Sequence, residues 1–390
     1  MVFSFELSDE QRQMLDTVGR VRRDYIEPNA TRWLDGDFPY ENMDKLAEIG
    51  ILGMTVPEEY GGMGANVFDT MLVLEDIAKG CYVTSMAVLG EVGTQTRIIS
   101  TYAPKTIKDE ILPAIATGKA ILAICMTEPN VGSDLGNMRT NCEVKGGKVI
   151  LNGAKTLISR AEEASMFIVF TRVDGVAGTK GVGCVLVEKD TPGLTADACY
   201  QTIGGEKLAD LRFDNVEVPL ENLILKGDSI RQLMSAFNTQ RCLNPSICLG
   251  MAEASLEASI QYMRDREVKG HPIGDFQGLR WKVADMYTQI EAGRGLLYRA
   301  AASADPFPDP VLAAMAKTFV NEMSIKVCSE GVQIHGGYGF IKDFAVARNY
   351  AGVRYGSLGG GTTELLRNMV GKALVERMDM ASGVSGMGYF

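Results

Sequence analysis

The run Met126-Thr127-Glu128-Pro129-Asn130-Val131-Gly132-Ser133-Asp134 carries the densest chemistry in this chain. It ends a predicted strand and opens a glycine-containing loop, where free backbone N–H groups and two hydroxyls can meet a phosphate. Alone, the run could be a capped turn, which is the less favoured reading, and Asp134 reads better as a helix cap than as an acid. Further clusters lie downstream: Arg264-Asp265-Arg266 with Gly270 and Gln277, then Gln333-Ile334-His335-Gly336-Gly337-Tyr338-Gly339-Phe340, then Gly359-Gly360-Gly361-Thr362-Thr363-Glu364. Glycine suits such places, because a phosphate approaches backbone N–H groups closely only where no Cβ intrudes. The chain has two histidines and eight scattered cysteines with no CxxC pair, so no zinc site is expected. His335 reads as a structural residue in a glycine-rich turn, His271 as surface loop, and the cysteines as core.

The elements that must position these clusters fall into contiguous blocks. From Leu7 to about residue 115 the segments are long and helical, and Ser8-Asp9-Glu10-Gln11 reads as a capping box opening the first helix. Between about 121 and 225 the texture changes to short apolar or alternating runs split by Gly, Asp and Pro. Strands are predicted at 121–126, 149–151, 167–173, 184–187 and 211–218, with a bulge or turn at Asp214-Asn215, where the apolar parity changes. Helical periodicity returns from about 230 to 379, and Leu312, Met315, Phe319, Met323 and Val327 read as a core-facing stripe. The order implies an α+β fold with domains at 1–120, 121–228 and 229–390. No GxGxxG follows a strand, so a redox cofactor would be held without a Rossmann signature. The small, Gly-rich tail at 381–390 is open to two readings, disorder or docking on a neighbouring subunit.

Thirty-nine basic against 49 acidic residues leave a net charge of -10, which argues against non-specific nucleic-acid binding. No apolar run approaches the roughly 18 residues of a spanning helix. With no visible secretory signal and a thiol spread that fits a reducing compartment, a cytoplasmic location is expected.

In order and spacing, these clusters resemble the acyl-CoA dehydrogenase family over essentially the whole chain. The resemblance implies an N-terminal helical domain, a middle β-domain and a C-terminal four-helix bundle, assembled as a homotetramer (a dimer of dimers). It implies FAD as cofactor, with Met126, Thr127, Gly132 and Ser133 lining it and Ser159 approaching flavin N5. It implies a grip across the dimer by Arg266, Gln277, Gln333, Gly336 and Gly337, with Thr362 and Glu364 at the adenosine half. Two departures bear on flavin packing: Leu157 stands for the usual Trp and Ser159 for its Thr partner. Lys269 also replaces the aromatic usual before Gly270.

On the substrate side the resemblance implies an acyl-CoA thioester, with Asn238 and Arg241 contacting the CoA moiety. The family's base is a glutamate at one of two places, and here these are Gly360 and Gln240. Gly360 can still offer its N–H to the thioester carbonyl, whereas Gln240 cannot accept a proton. Glu91 is the substitute base this resemblance suggests, against a solvated or interface glutamate. The three glycines at 359–361 are expected to free volume for a branched, cyclic or aryl acyl group. The resulting readings are an FAD dehydrogenase passing electrons to an electron-transferring flavoprotein, a desulfinase-type lyase, an enoyl-CoA reductase, and a non-enzymatic structural or regulatory flavoprotein. Against the lyase, Met86 stands where the desulfinase type has an arginine.

Overall fold

The computed structural model describes residues 6–380, so the tail at 381–390 lies outside the described residues. The first block is six helices: α1 (Asp9–Val21), α2 (Tyr40–Glu48), α3 (Val67–Gly80), α4 (Tyr82–Val92), α5 (Thr94–Tyr102) and α6 (Lys105–Ala116). Ser8 caps α1 in a reciprocal box: Gln11 N–H donates to Ser8 Oγ at 3.2 Å, and Ser8 N–H to Gln11 Oε1 at 2.9 Å.

Eight strands follow: β1 (Leu122–Cys125), β2 (Asn141–Lys145), β3 (Lys148–Ser159), β4 (Met166–Val173), β5 (Val182–Glu188), β6 (Leu194–Gln201), β7 (Lys207–Pro219) and β8 (Leu223–Leu225). They form one sheet in the order β6-β7-β3-β2-β4-β5-β8, with β1 parallel to β4. Both faces of β4 are buried. Ile168 and Phe170 pack with Ile98 and Leu112 of α5 and α6, while Phe167 and Val169 pack with Leu151, Leu211 and Phe213. The predicted strands all exist, and the bulge falls where the parity changes. Asp214 and Asn215 together face Asn152, and Asn215 adopts φ 48°. Strands β2, β6 and β8 escape the pattern, because β6 is an edge strand with few buried side chains and β8 has three residues.

The last block is α7 (Ile230–Asp265), α8 (Gln277–Ala302), α9 (Pro310–His335), α10 (Ala345–Val353) and α11 (Thr363–Met380). Gly250 lets α7 touch α3, since a Cβ there would lie 2.1 Å from the Glu75 carbonyl oxygen. The predicted stripe on α9 needs correcting. Phe319 is 38% exposed, and the buried face runs through Ala313, Ala316, Lys317, Val320, Met323 and Val327. Small residues sit inside because α9 packs against α7, α8 and α11 at once, leaving little room for a bulky ring.

One buried ion pair joins the two segments that bear the site. Lys155 of β3 donates to Glu128 Oε1 at 2.9 Å and to the Met126 carbonyl at 3.0 Å, and its side chain is wholly buried. The Glu128 carboxylate also accepts from the N–H groups of Arg139 (2.7 Å) and Thr140 (3.0 Å). Burial works to raise the Glu128 pKa, but Lys155 and these donors outweigh it and hold the carboxyl below its usual range. Removing one partner of such a pair leaves an uncompensated buried charge. Lys155→Met should therefore cost about 3–5 kcal/mol in chemical denaturation; a loss under about 1 kcal/mol, the scale of a surface pair, would show that the pair is not structural.

Candidate active site

Strand β3 is bent where it reaches the site. Its register against β7 shifts between Lys155 and Ile158, so Thr156 and Leu157 together oppose Asp210. Asp210 accepts from Thr156 Oγ1 and from Leu157 N–H, and Leu157 is held at φ 57°. A left-handed conformation at a branched residue is strained. It turns an apolar side chain, 53% exposed, into a cavity. Beyond it, Ser159 lines the same cavity, and Arg160 (φ 60°) ends the strand. Thr156 N–H donates to the Thr127 carbonyl at 3.0 Å, so the Met126–Asp134 loop and the Lys155–Ser159 segment form one wall.

The cavity, about 520 Å³, joins all three blocks of the chain. Met126, Thr127, Gly132, Ser133 and Ser159 reach it from the sheet. Gln240 and Arg241 reach it from α7, and Gly360 and Thr362 from the turn before α11. Asn238 is buried beside it and accepts from Arg241 Nη1 at 2.7 Å. Four buried polar atoms on lining residues have no protein partner: Thr202 Oγ1, Glu206 Oε2, Gln240 Oε1 and Arg241 Nε. Unpaired buried groups are costly, so this wall is built to meet a polar ligand. Arg266, Gln277, Gln333, Gly336, Gly337 and Glu364 are exposed and do not line the cavity. A Cβ at Gly336 or Gly337 would meet only open space.

The chain belongs to the acyl-CoA dehydrogenase family. The family's N-terminal domain model matches residues 8–119, its middle domain 123–216 and its C-terminal domain 227–375. Benzylmalonyl-CoA dehydrogenase of Aromatoleum aromaticum is 34% identical, over 94% of this chain and 98% of that one. The 3-sulfinopropanoyl-CoA desulfinase of Paraburkholderia xenovorans is 33% identical over 95% and 97%. The solved structure of butyryl-CoA dehydrogenase from Megasphaera elsdenii superposes with a TM-score of 0.91 at 30% identity, covering 96% of this chain and all of that one.

Acyl-CoA dehydrogenases bind FAD, and the residues here fit it. The bulge offers Leu157 as an exposed apolar surface for a ring, while Thr127, Ser133 and Thr362 supply hydroxyls and Gly132 leaves its backbone bare to open space. Gly360 and Gln240, the two positions where the resemblance leads one to expect the base, carry no carboxyl group. At Gly360, φ is 75°, a conformation that strains any L side chain. Lys317 lies beneath this turn, donating to the carbonyls of Gly356 (2.8 Å) and Gly361 (3.0 Å), and burial pulls its pKa down to about 8. The expected free volume over the three glycines is not there. A Cβ at Gly359 would strike the Tyr355 ring at 2.3 Å, and one at Gly360 would meet Lys317 Cε at 3.2 Å. Larger neighbours occupy the space beside Gly359 and Gly360, whereas a Cβ at Gly361 would make only ordinary contact with Leu365 and Leu366 at 3.6–3.9 Å.

Glu91 is placed differently from the expectation of a substitute base. Its carboxylate accepts from Arg160 Nη1 at 2.9 Å, both side chains are buried, and Glu91 is absent from the cavity wall, which Arg160 joins instead. The guanidinium is threaded over Gly90, where a Cβ would lie 1.3 Å from Nη1, and it donates onward to the Leu122 carbonyl at 2.6 Å. Glu91 thus serves as the counter-ion of Arg160, its carboxylate directed at the guanidinium rather than at the cavity. Arg160, Tyr82, Tyr355 and Glu206 are cavity residues that sequence reasoning missed. For Glu206 a signal existed, a carboxyl directly after a Gly-Gly turn; for Arg160 none did beyond its place next to Ser159.

Burial pushes the Glu91 carboxyl up to about 7 from 4.5, with Arg160 opposing. An acid whose folded pKa lies above its unfolded one supports folding fully below the unfolded value, and the support is lost as pH rises through the folded value. Glu91→Gln keeps an acceptor for Arg160 but cannot ionise. The stability of the variant relative to wild type should therefore rise between pH 4.5 and 8 in urea unfolding; a pH-independent difference would show that burial does not perturb Glu91.

Proposed function

We propose that the chain is an FAD-dependent oxidoreductase that introduces an α,β- or vinylogous double bond into a branched, cyclic or aryl acyl-CoA thioester. One observation carries this reading. A single cavity is shared by the segments assigned to the flavin (Thr127, Ser133, Thr362) and those assigned to the thioester (Gln240, Arg241, Gly360), yet neither Gln240 nor Gly360 offers a carboxylate. FAD, when bound, accepts hydride. The chain's own residues do the rest. Gly360 supplies a backbone N–H to the thioester carbonyl, stabilising charge as it develops on that oxygen. Arg241, with Nε unpaired and Nη1 tied to Asn238, meets the CoA moiety. The resemblance to a relative named for benzylmalonyl-CoA supports an aryl or otherwise bulky acyl group.

Arg266, Gln277, Gln333, Gly336 and Gly337 serve the FAD of a second copy. Their exposure, next to exposed Phe276, Trp281, Tyr338 and Phe340, supports a dimer and, through it, a homotetramer. An electron-transferring flavoprotein is the proposed acceptor, in a cytoplasmic setting; no helix among the described residues is long and apolar enough to cross a membrane. Against the desulfinase reading stands the cavity wall itself. Met86 lines it, and the cation beside it, Arg160, is already neutralised by Glu91.

The reading is tested by anaerobic absorbance of the purified protein mixed with linear, cyclic, aryl and sulfinated CoA thioesters. Flavin bleaching by a cyclic or aryl thioester is expected. A colourless protein that takes up no FAD would sink the reading, and sulfite release without bleaching would replace it with the lyase. Gln240→Glu, which restores a carboxylate without altering the backbone, should raise bleaching by linear acyl-CoAs roughly 10²–10⁴-fold, the usual scale of general-base catalysis.

A further inference from the structure

We propose that Glu206 is the proton-transferring carboxyl group of this cavity, acting on the α-carbon of the bound thioester. The proposal rests on the reading above and supplies the group which that reading lacks. Among the described residues that line the cavity, Glu206 is the one Asp or Glu. Glu91 is committed to Arg160, and Gln240 and Gly360 have no carboxyl to offer.

The local structure presents this side chain deliberately. Glu206 follows the Gly204-Gly205 turn between β6 and β7, and Gly205 takes φ 111°. A Cβ at Gly204 would sit 2.4 Å from the Tyr82 ring, so glycine lets the turn press onto α4. Tyr82 Oη then donates to Glu206 Oε1 at 2.9 Å and fixes the carboxyl, while Oε2 is buried with no partner. Glu91 Oε2 is likewise without a partner, but Glu91 does not line the cavity, whereas Glu206 does, so a ligand there can draw on its second oxygen.

Its position also joins it to the reacting zone. Leu208, two residues on, is the register partner of Ser159 on β3, and both line the cavity. On the opposite wall Tyr355 lies within electrostatic reach of Glu206, and the ring of Tyr355 packs on Gly359 beside Gly360. The charged and titratable groups around the carboxyl are Tyr82 from α4, Tyr355 from the turn after α10, Arg160 from β3 and its own neighbour Lys207. Glu163 and Asp37 lie in the crevice behind it. Burial raises the carboxyl to about 7, with the Tyr82 bond opposing, a value suited to giving and taking protons near neutrality.

In the step, the Cα–H bond breaks and an O–H bond forms at Glu206 Oε2. The released electron pair delocalises onto the thioester carbonyl, whose oxygen is held by the Gly360 N–H. No oxidant is consumed, so proton transfer can be read apart from redox turnover.

FAD-loaded protein is incubated anaerobically in D2O with butyryl-CoA or cyclohexanecarbonyl-CoA, and deuterium at the α-carbon is followed by mass spectrometry. Wild type should exchange with at least one of these probes. E206Q should slow that exchange roughly 10²–10⁴-fold with unchanged FAD content, E206D should slow it at least about tenfold, and E91Q should keep it within a few-fold. If E206Q fails to fold, E206D carries the comparison. Absence of FAD, or of any flavin spectral change on adding the thioester, would sink both this proposal and the reading beneath it. A thioester that perturbs the flavin but shows no α-exchange, or exchanges as fast in the Glu206 variants, would remove Glu206 alone.

Discussion

The Lys155–Glu128 pair is the constraint on which the cavity wall formed by the Met126–Asp134 loop and strand β3 depends. Two charges buried together are tolerated because both are hydrogen-bonded: Glu128 accepts from Lys155 and two backbone N–H groups, and Lys155 also donates to the Met126 carbonyl. The result is geometric. The loop carrying Thr127 and Ser133 and the strand carrying Leu157 and Ser159 cannot slide past each other. The strain at Leu157 persists because β3 is anchored on both sides of it, by Lys155 before the bulge and by the Arg160–Glu91 pair after it.

The second buried pair divides the labour among carboxylates. Glu75, Glu91 and Glu206 are all pushed up to about 7 by burial, and they differ in what opposes it. Glu75 lies under Arg294, and Glu91 lies under Arg160, so each meets a cation of fixed charge. Glu206 meets a tyrosine hydroxyl, a donor without charge; in all three the second carboxyl oxygen is buried without a protein partner. A carboxylate beside an arginine is a structural ion. One beside a neutral donor, on a residue that lines a cavity, carries the weaker opposition to burial and is the candidate for proton exchange.

Much of this was legible in the sequence where the signal is local. The capping box at Ser8, the bulge at Asp214-Asn215 and the α–β–α order each follow from residue types a few positions apart. The loop at Met126–Asp134 and the turn at 359–362 could be matched to a family because glycine and hydroxyl placement around a phosphate-bearing ligand tolerates little change. What failed depends on contacts between distant segments. Phe319 read as core because its spacing is right, yet α9 presents its small residues to three other helices. The glycines at 359–361 read as vacated space, yet Tyr355 and Lys317, four and more residues away, occupy it at Gly359 and Gly360. Glu91 read as a base because its segment runs along the pocket, but side-chain direction is decided by Arg160, 69 residues later.

Gly360 and Gln240, the residues expected at the family's base positions, differ in what the packing around them allows. At Gly360 the backbone lies in a region that strains an L residue such as glutamate, and Lys317 braces the turn through the carbonyls of Gly356 and Gly361. A carboxylate restored at that position would strain the turn as well as meet the lysine stem. At Gln240 the backbone is ordinary helix, and the amide oxygen is buried and unpaired with its would-be neighbour Gly93 close by. At Gly360 the obstacle to a carboxylate is therefore the backbone, whereas at Gln240 it is a single exchange of carboxylate for amide. On the proposed reading, proton chemistry in this cavity falls to the wall that carries Glu206.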